Sequence, residues 1–227
     1  MRALALAALL AAVAAPGATA ARRVLLGRSV DGRPIVALEL GDPRSRVSEL
    51  VVGCIHGNEP AGIAVAERVA AARAPAGVDL WVVPDLNPDG VAADTRGNAH
   101  RVDLNRNFPF SWRPLSGIFD SGPRPLSEPE SQIAARLIRR LRPHVSIWFH
   151  QHLDVVDESG GDVAVERRFA QRSGLPLTRL TRYPGSVASW ENALLPGSTA
   201  FVVELPAGPA APALSKRLVS AALAATR

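Results

Sequence analysis

With 227 residues, 26 basic against 21 acidic side chains and a formal net charge of +5, the chain is long enough for one sizeable core and only mildly basic. Arginine supplies nearly all of the positive charge (Lys216 is the one lysine), a single tyrosine occurs, and no dense basic run carries interleaved aromatics, so no nucleic-acid partner is expected. The lone Cys54 excludes an internal disulfide, and its apolar neighbours mark it as a small buried hydrophobe.

Residues 1–20 have the layout of a secretory signal: Arg2, an apolar run from Ala3 to Ala15, and a small-x-small end at Ala18-Thr19-Ala20. The run is shorter than the roughly 20 residues a membrane-spanning helix needs, so an exported chain, secreted or periplasmic and without stable membrane insertion after cleavage, is expected. Residues 23–40 are two apolar-rich runs around Asp31-Gly32, a hairpin signal. Residues 49–55 and 79–86 are short, nearly continuous apolar runs, the pattern of strands buried on both faces, with a helix between them over 59–74. A long irregular stretch follows over 87–126, a length expected if it builds a site. The helix over 127–143 is predicted to start with a capping box of Ser127 and Glu130, and Glu128 and Glu130 are given capping and dipole roles without chemistry. Then come a strand at 145–149, a polar loop, a helix at 163–172, a strand at 199–204 and a final helix at 212–225. This order predicts an α/β domain over residues 21–227: one mixed, mostly parallel sheet with helices on both faces, entered through an antiparallel hairpin.

Ligand sites in such sheets lie beyond the carboxyl ends of the strands. There the chain puts His56 and Glu59 (in VVGCIHGNE), His150 (in VSIWFHQH) and Glu204 (in AFVVELP). His-x-x-Glu with a distant His is a possible three-ligand set for one catalytic zinc, leaving a position for water. Alone, the pair is equally compatible with a polar loop residue and a helix-start acid.

The ordered set HGNE, NAHRVDLNRNFPFSW (98–112), SEPES, WFHQH and VVELP resembles the zinc carboxypeptidase family, most closely its small bacterial members of the murein peptide amidase type. That resemblance implies His56, Glu59 and His150 as zinc ligands. His152 is the competitor for the third place and otherwise a substrate contact, because i and i+2 share a face of a strand. It implies Glu204 as general base, Arg96 beside the zinc at the oxyanion, and Asn105 and Arg106 as the grip on a substrate carboxylate. Tyr183, upstream of PGSVASW, stands where the family carries a tyrosine that closes over the substrate. Arg101 occupies a place where a small residue is expected, which leaves open whether Arg96 or Arg101 faces the substrate. His100 and His144 are given solvated or structural roles, and Trp148 and Trp190 packing roles.

The resemblance further implies a peptide substrate with a free carboxylate: cell-wall peptides cut between γ-D-glutamate and a diamino acid such as diaminopimelate. Ser186, Ser189 and the loop 154–162 are candidate pocket walls, where Asp154, Asp157 or Glu158 would attract the extra ammonium of a diamino acid. The alternatives are a general metallocarboxypeptidase, an N-acyl amino acid deacylase, and an inactive wall-binding module.

Overall fold

The computed structural model describes residues 21–227, so the export segment expected at 1–20 lies outside the described residues. The chain enters through β1 (Arg22–Arg28) and β2 (Pro34–Gly41), the expected antiparallel hairpin. It continues through β3 (Ser48–Val52), α1 (Ala61–Ala71), β4 (Asp79–Val83), α2 (Pro88–Ala93), α3 (Pro129–Leu141) and β5 (Val145–Gln151). The last third holds β6 (Val155–Asp157), α4 (Val163–Ser173), β7 (Leu177–Thr178), α5 (Val187–Leu194), β8 (Thr199–Leu205) and α6 (Pro212–Ala222). Among the described residues no helix is long and apolar enough to cross a membrane.

The eight strands form one sheet in the order β1-β2-β4-β3-β5-β8-β6-β7. β4, β3, β5 and β8 run parallel, and antiparallel partners flank them on both sides. Side chains alternate across the strands. Val51, Val82, Phe149 and Val203 meet α1, α4 and α6 on one face, whereas Leu50, Trp81 and Trp148 meet α3 and α5 on the other. All five residues of β3 are buried, as a strand paired on both edges and covered on both faces requires.

Several boundaries differ from the sequence reading. β3 ends at Val52, and Gly53, Cys54 and Ile55 are buried but no longer in the strand; an apolar run reports burial, not backbone shape. The capping box does not form: Pro129 takes the first helical position, so Glu128 becomes the cap without a side-chain cap bond. Glu128 and Glu130 instead turn inward, and both accept from Asn98 Nδ2, at 2.8 and 3.0 Å. They fasten the 98–107 loop to the start of α3, a positioning role the sequence reading did not give them. The stretch read as a polar loop after β5 contains β6, and β7 and α5 are additional elements. Ile133 and Leu137 of α3 face the core as expected, with Leu141 half-buried.

Candidate metal centre

The parallel order sets the ends of β3, β5 and β8 side by side. β5 and β8 are in register, with His150 opposite Glu204. Both project to the face that carries Trp148 and Val202, by alternation along each strand. His56 lies four residues beyond β3, in a turn that packs against the backbone of α2: a Cβ on Gly57 would fall 1.9 Å from the carbonyl carbon of Gly90. A side chain at 57 would push the turn, and His56 with it, away from the backbone of Gly90.

His56 Nδ1 lies 3.0 Å from Glu59 Oε1, His150 Nδ1 lies 3.0 Å from Glu59 Oε2, and the two imidazole nitrogens are 3.2 Å apart. All three residues are buried. The other ring nitrogen of His56, Nε2, is 2.9 Å from Asp103 Oδ1, which assigns it the proton and leaves Nδ1 with its lone pair facing Glu59. Lone pairs then converge on one point and repel unless a cation lies among them. Donors about 2 Å from a tetrahedral zinc lie about 3.3 Å from one another, so the two imidazoles and the carboxylate fit zinc.

Asp103 braces this set, a role that sequence reasoning passes over although the residue stands inside the DLNRNF motif. It is fully buried, and its second oxygen accepts from Arg96 Nε at 2.8 Å. Burial alone would raise its pKa, but His56, Arg96 and Arg106 outweigh this and hold it well below the usual carboxylate range. Arg96 reaches on to Glu59 Oε1 at 3.0 Å, closing a loop of His56, Glu59, Arg96 and Asp103. Replacing Asp103 with Asn removes the acceptor charge that both neighbours share, and a 10- to 100-fold weaker zinc affinity is expected. Competition against a chromophoric chelator measures it; unchanged affinity would deny Asp103 the role.

One cavity of about 350 Å³ opens over this centre. His56, Glu59, His150, Glu204, Arg96, Asn105, Arg106, Tyr183 and His152, all nine residues singled out from the sequence, line it. Glu204 Oε2 is buried without a partner, and burial, partly offset by His150, raises its pKa. Asn105 is locked by its own Oδ1, which accepts from Val187 N at 2.9 Å. Arg106 is buried with Nε unpartnered, its guanidinium 4.4 Å from the Tyr183 ring centroid. The Tyr183 segment is held there by Gly185 (φ +73), whose absent Cβ would fall 1.9 Å from Arg106 O.

His150 lies within β5, as a third ligand from a strand requires, and His152 does not. The strand stops at Gln151, so the shared-face expectation for His152 fails; it is an exposed residue of the cavity rim. Arg101 is exposed and outside the cavity lining, with φ +65, a left-handed backbone that suits glycine. That geometry explains why a small residue is expected there, and Arg96 is the arginine at the centre. His100 is mostly solvated beside Glu128, and His144 Nδ1 faces Ser48 N at the opposite end of the sheet. Ser186 and Ser189 line the cavity as expected, but Asp154 and Glu158 do not. Asp157 does, yet it is engaged by Arg182 at 2.6 Å, so no free acid stands on that wall to draw an ammonium. Phe119, from the irregular stretch, was not anticipated; it stacks on Tyr183 at 6.3 Å and covers Arg96 and Arg106, each 5.4 Å from its ring centroid.

Comparison with known proteins agrees with this geometry. The family model described as zinc carboxypeptidase matches residues 6–156. Murein peptide amidase A of Escherichia coli (strain K12) is 32% identical over 180 residues, 72% of this chain and 74% of that protein. The Vibrio campbellii protein of the same name is 30% identical, covering 73% of each chain. The crystal structure of murein-tripeptide amidase MpaA from Escherichia coli O157 superposes with a TM-score of 0.76 at 28% identity, over 92% of this chain and 98% of that one. The carboxypeptidase A from Helicoverpa armigera, at 19% identity and a TM-score of 0.72 over 91% of this chain and 68% of that one, shares the fold. The chain belongs to the zinc carboxypeptidase family, as a zinc-dependent hydrolase.

Proposed function

We propose that the chain is an exported zinc amidase that cleaves cell-wall peptides between γ-D-glutamate and a terminal diamino acid bearing a free carboxylate. The observation that carries this reading is the meeting, in one cavity, of the His56–Glu59–His150 set with a carboxylate, Glu204, that has one buried oxygen without a partner, and a buried, incompletely paired arginine, Arg106. The murein specificity is supported by the names of the relatives, and the export by the first twenty residues.

Zinc held by His56, Glu59 and His150 would supply a polarised scissile carbonyl and a water acidic enough to ionise near neutral pH. Arg106 and the amide of Asn105 hold the terminal carboxylate, Arg106 through the N–H groups that no protein acceptor takes. This fixes the scissile bond relative to Glu204. Glu204 takes the proton of the attacking water on its free oxygen and returns it to the leaving amine. Arg96, anchored by Asp103 and Glu59, keeps a fixed positive charge beside the oxygen that becomes negative. Tyr183 and Phe119 cover the two arginines and thin the water around them.

The test is turnover of L-Ala-γ-D-Glu-diaminopimelate by the zinc-loaded chain from residue 21, with products identified by mass spectrometry. Release of diaminopimelate is the expected result. No release from folded, metal-loaded protein would overturn the murein reading and direct the search to C-terminal peptides and N-acyl amino acids; silence on all three would favour the wall-binding module.

A further inference from the structure

The cavity also has polar lining residues outside the metal set. Those from β6, residues 180–183 and the start of α5 include Asp157, Ser159, Arg182, Ser186 and Ser189. Asp157 is one of these, but its carboxylate is largely engaged within the protein. Its Oδ1 accepts from Leu180 N at 2.9 Å, its Oδ2 accepts from Ser159 Oγ and from Arg182 Nη1, both at 2.6 Å, and only 6% of its side chain is exposed. Ser159 is itself fixed, accepting from Val202 N of β8 at 3.1 Å. The carboxylate is therefore a rigid anchor stitched to the sheet.

Arg182 is the opposite case. Asp157 is its one protein partner among the described residues, its side chain remains 32% exposed, and it lines the cavity. Most of its five N–H donors have no protein acceptor. A guanidinium pinned at one end and open at the other is a ready site for a carboxylate. Ser186 and Ser189, which also line the cavity, make no side-chain hydrogen bond within the described protein, so their hydroxyls are free to receive an ammonium or a further carboxylate oxygen.

We propose that Arg182, held in place by Asp157, reads the far end of the leaving amino acid and selects a side chain that ends in a carboxylate. The assignment rests on the amidase reading above and deepens it. Two arginines in one cavity then divide the work: Arg106 takes the carboxylate next to the scissile bond, Arg182 the distal one. A diaminopimelate residue has both groups, whereas a lysine residue, the same chain without the distal carboxylate, has only the first. Arg182 is a specificity-determining residue and Asp157 a positioning residue acting through it.

Two tripeptides, L-Ala-γ-D-Glu ending in meso-diaminopimelate or in L-lysine, separate this from a merely structural ion pair. Wild type is expected to favour the diaminopimelate peptide by about 10- to 100-fold in kcat/KM, the range for one charge-assisted contact. In Arg182→Gln the ratio should fall toward one, chiefly through KM for the diaminopimelate peptide; Arg182→Lys should keep part of it, and Asp157→Asn should lower it with Arg182 present. A wild-type ratio near one, or an Arg182→Gln variant that keeps the wild-type ratio, overturns the assignment and leaves the amidase reading standing. If wild type cuts neither peptide, the amidase reading falls instead. Arg182 is then judged on benzoylglycyl-glutamate against benzoylglycyl-glutamine: a preference for glutamate that Arg182→Gln abolishes upholds the assignment, and equal turnover rejects it.

Discussion

Replacing Glu204 with Gln is expected to lower kcat by about 10²- to 10⁴-fold while zinc content and melting temperature hold. The amide keeps the size of the side chain and its place on β8 but cannot accept the proton of the attacking water. Stability should not suffer, because the lost charge has an unpartnered buried oxygen and no arginine to compensate it. No second acid in the cavity is placed to take over: Glu59 belongs to the metal set, and the Asp157 carboxylate is held by Leu180 N, Ser159 and Arg182. Metal analysis, a thermal melt and steady-state turnover on one preparation check this. A variant that keeps more than a tenth of the activity would remove Glu204 from the role of base.

The second large effect is on stability. Glu49 is fully buried in β3, between Leu80 of β4 and Val145 of β5, and neither of its oxygens has a hydrogen-bond partner. It shares a face with Val51 by alternation, so it points into the core beneath α1. Burial pushes its pKa up to about 8. The folded protein therefore keeps this proton while the unfolded chain releases it near the ordinary glutamate value. The stability Glu49 allows is complete below about pH 4.5 and is lost progressively as pH rises to about 8. At 1.4 kcal/mol per pH unit the total is on the order of 5 kcal/mol, less whatever water penetration relieves. In Glu49→Gln the amide imitates the protonated acid at every pH. Urea unfolding at pH 5 and pH 9 should give similar midpoints for wild type and variant at the lower pH and a several kcal/mol advantage for the variant at the higher. Equal pH dependence in the two proteins would mean that the carboxylate finds solvent or a partner when it ionises. Glu166, Glu191 and Asp85, also raised by burial, titrate in both proteins and cancel in the comparison.

The metal set and Glu204 were legible because they interrupt apolar runs: an imidazole after VSIWF, or Glu204 inside FVVEL, is costly unless the site uses it. The sheet was legible for the same reason, its central strands being short and continuously apolar. What stayed hidden depends on contacts between distant segments. Asp103 acquires its role by meeting His56, 47 positions away, and nothing local to VDLN states it. β6 and β7 have three and two residues, too few for any periodicity to show. Phe119 sits in a single 3-10 turn, where its stacking on Tyr183 is a product of the closed fold. The expected ammonium-binding acid failed in an informative way: Asp157 was placed on the wall correctly, but its neutralising partner lies 25 positions further on.

The arrangement of the sheet has a consequence for how such a chain can diversify. The metal ligands and Glu204 are tied to β3, β5 and β8, whereas Asp157 and Arg182 belong to the edge beyond β8, formed by β6, β7 and the segment that follows them. Segments at an edge tolerate replacement because few strands depend on them for pairing. Substrate preference can thus drift through residues 155–182, while 183–187, fastened to Arg106 and Asn105, stay with the hydrolytic apparatus.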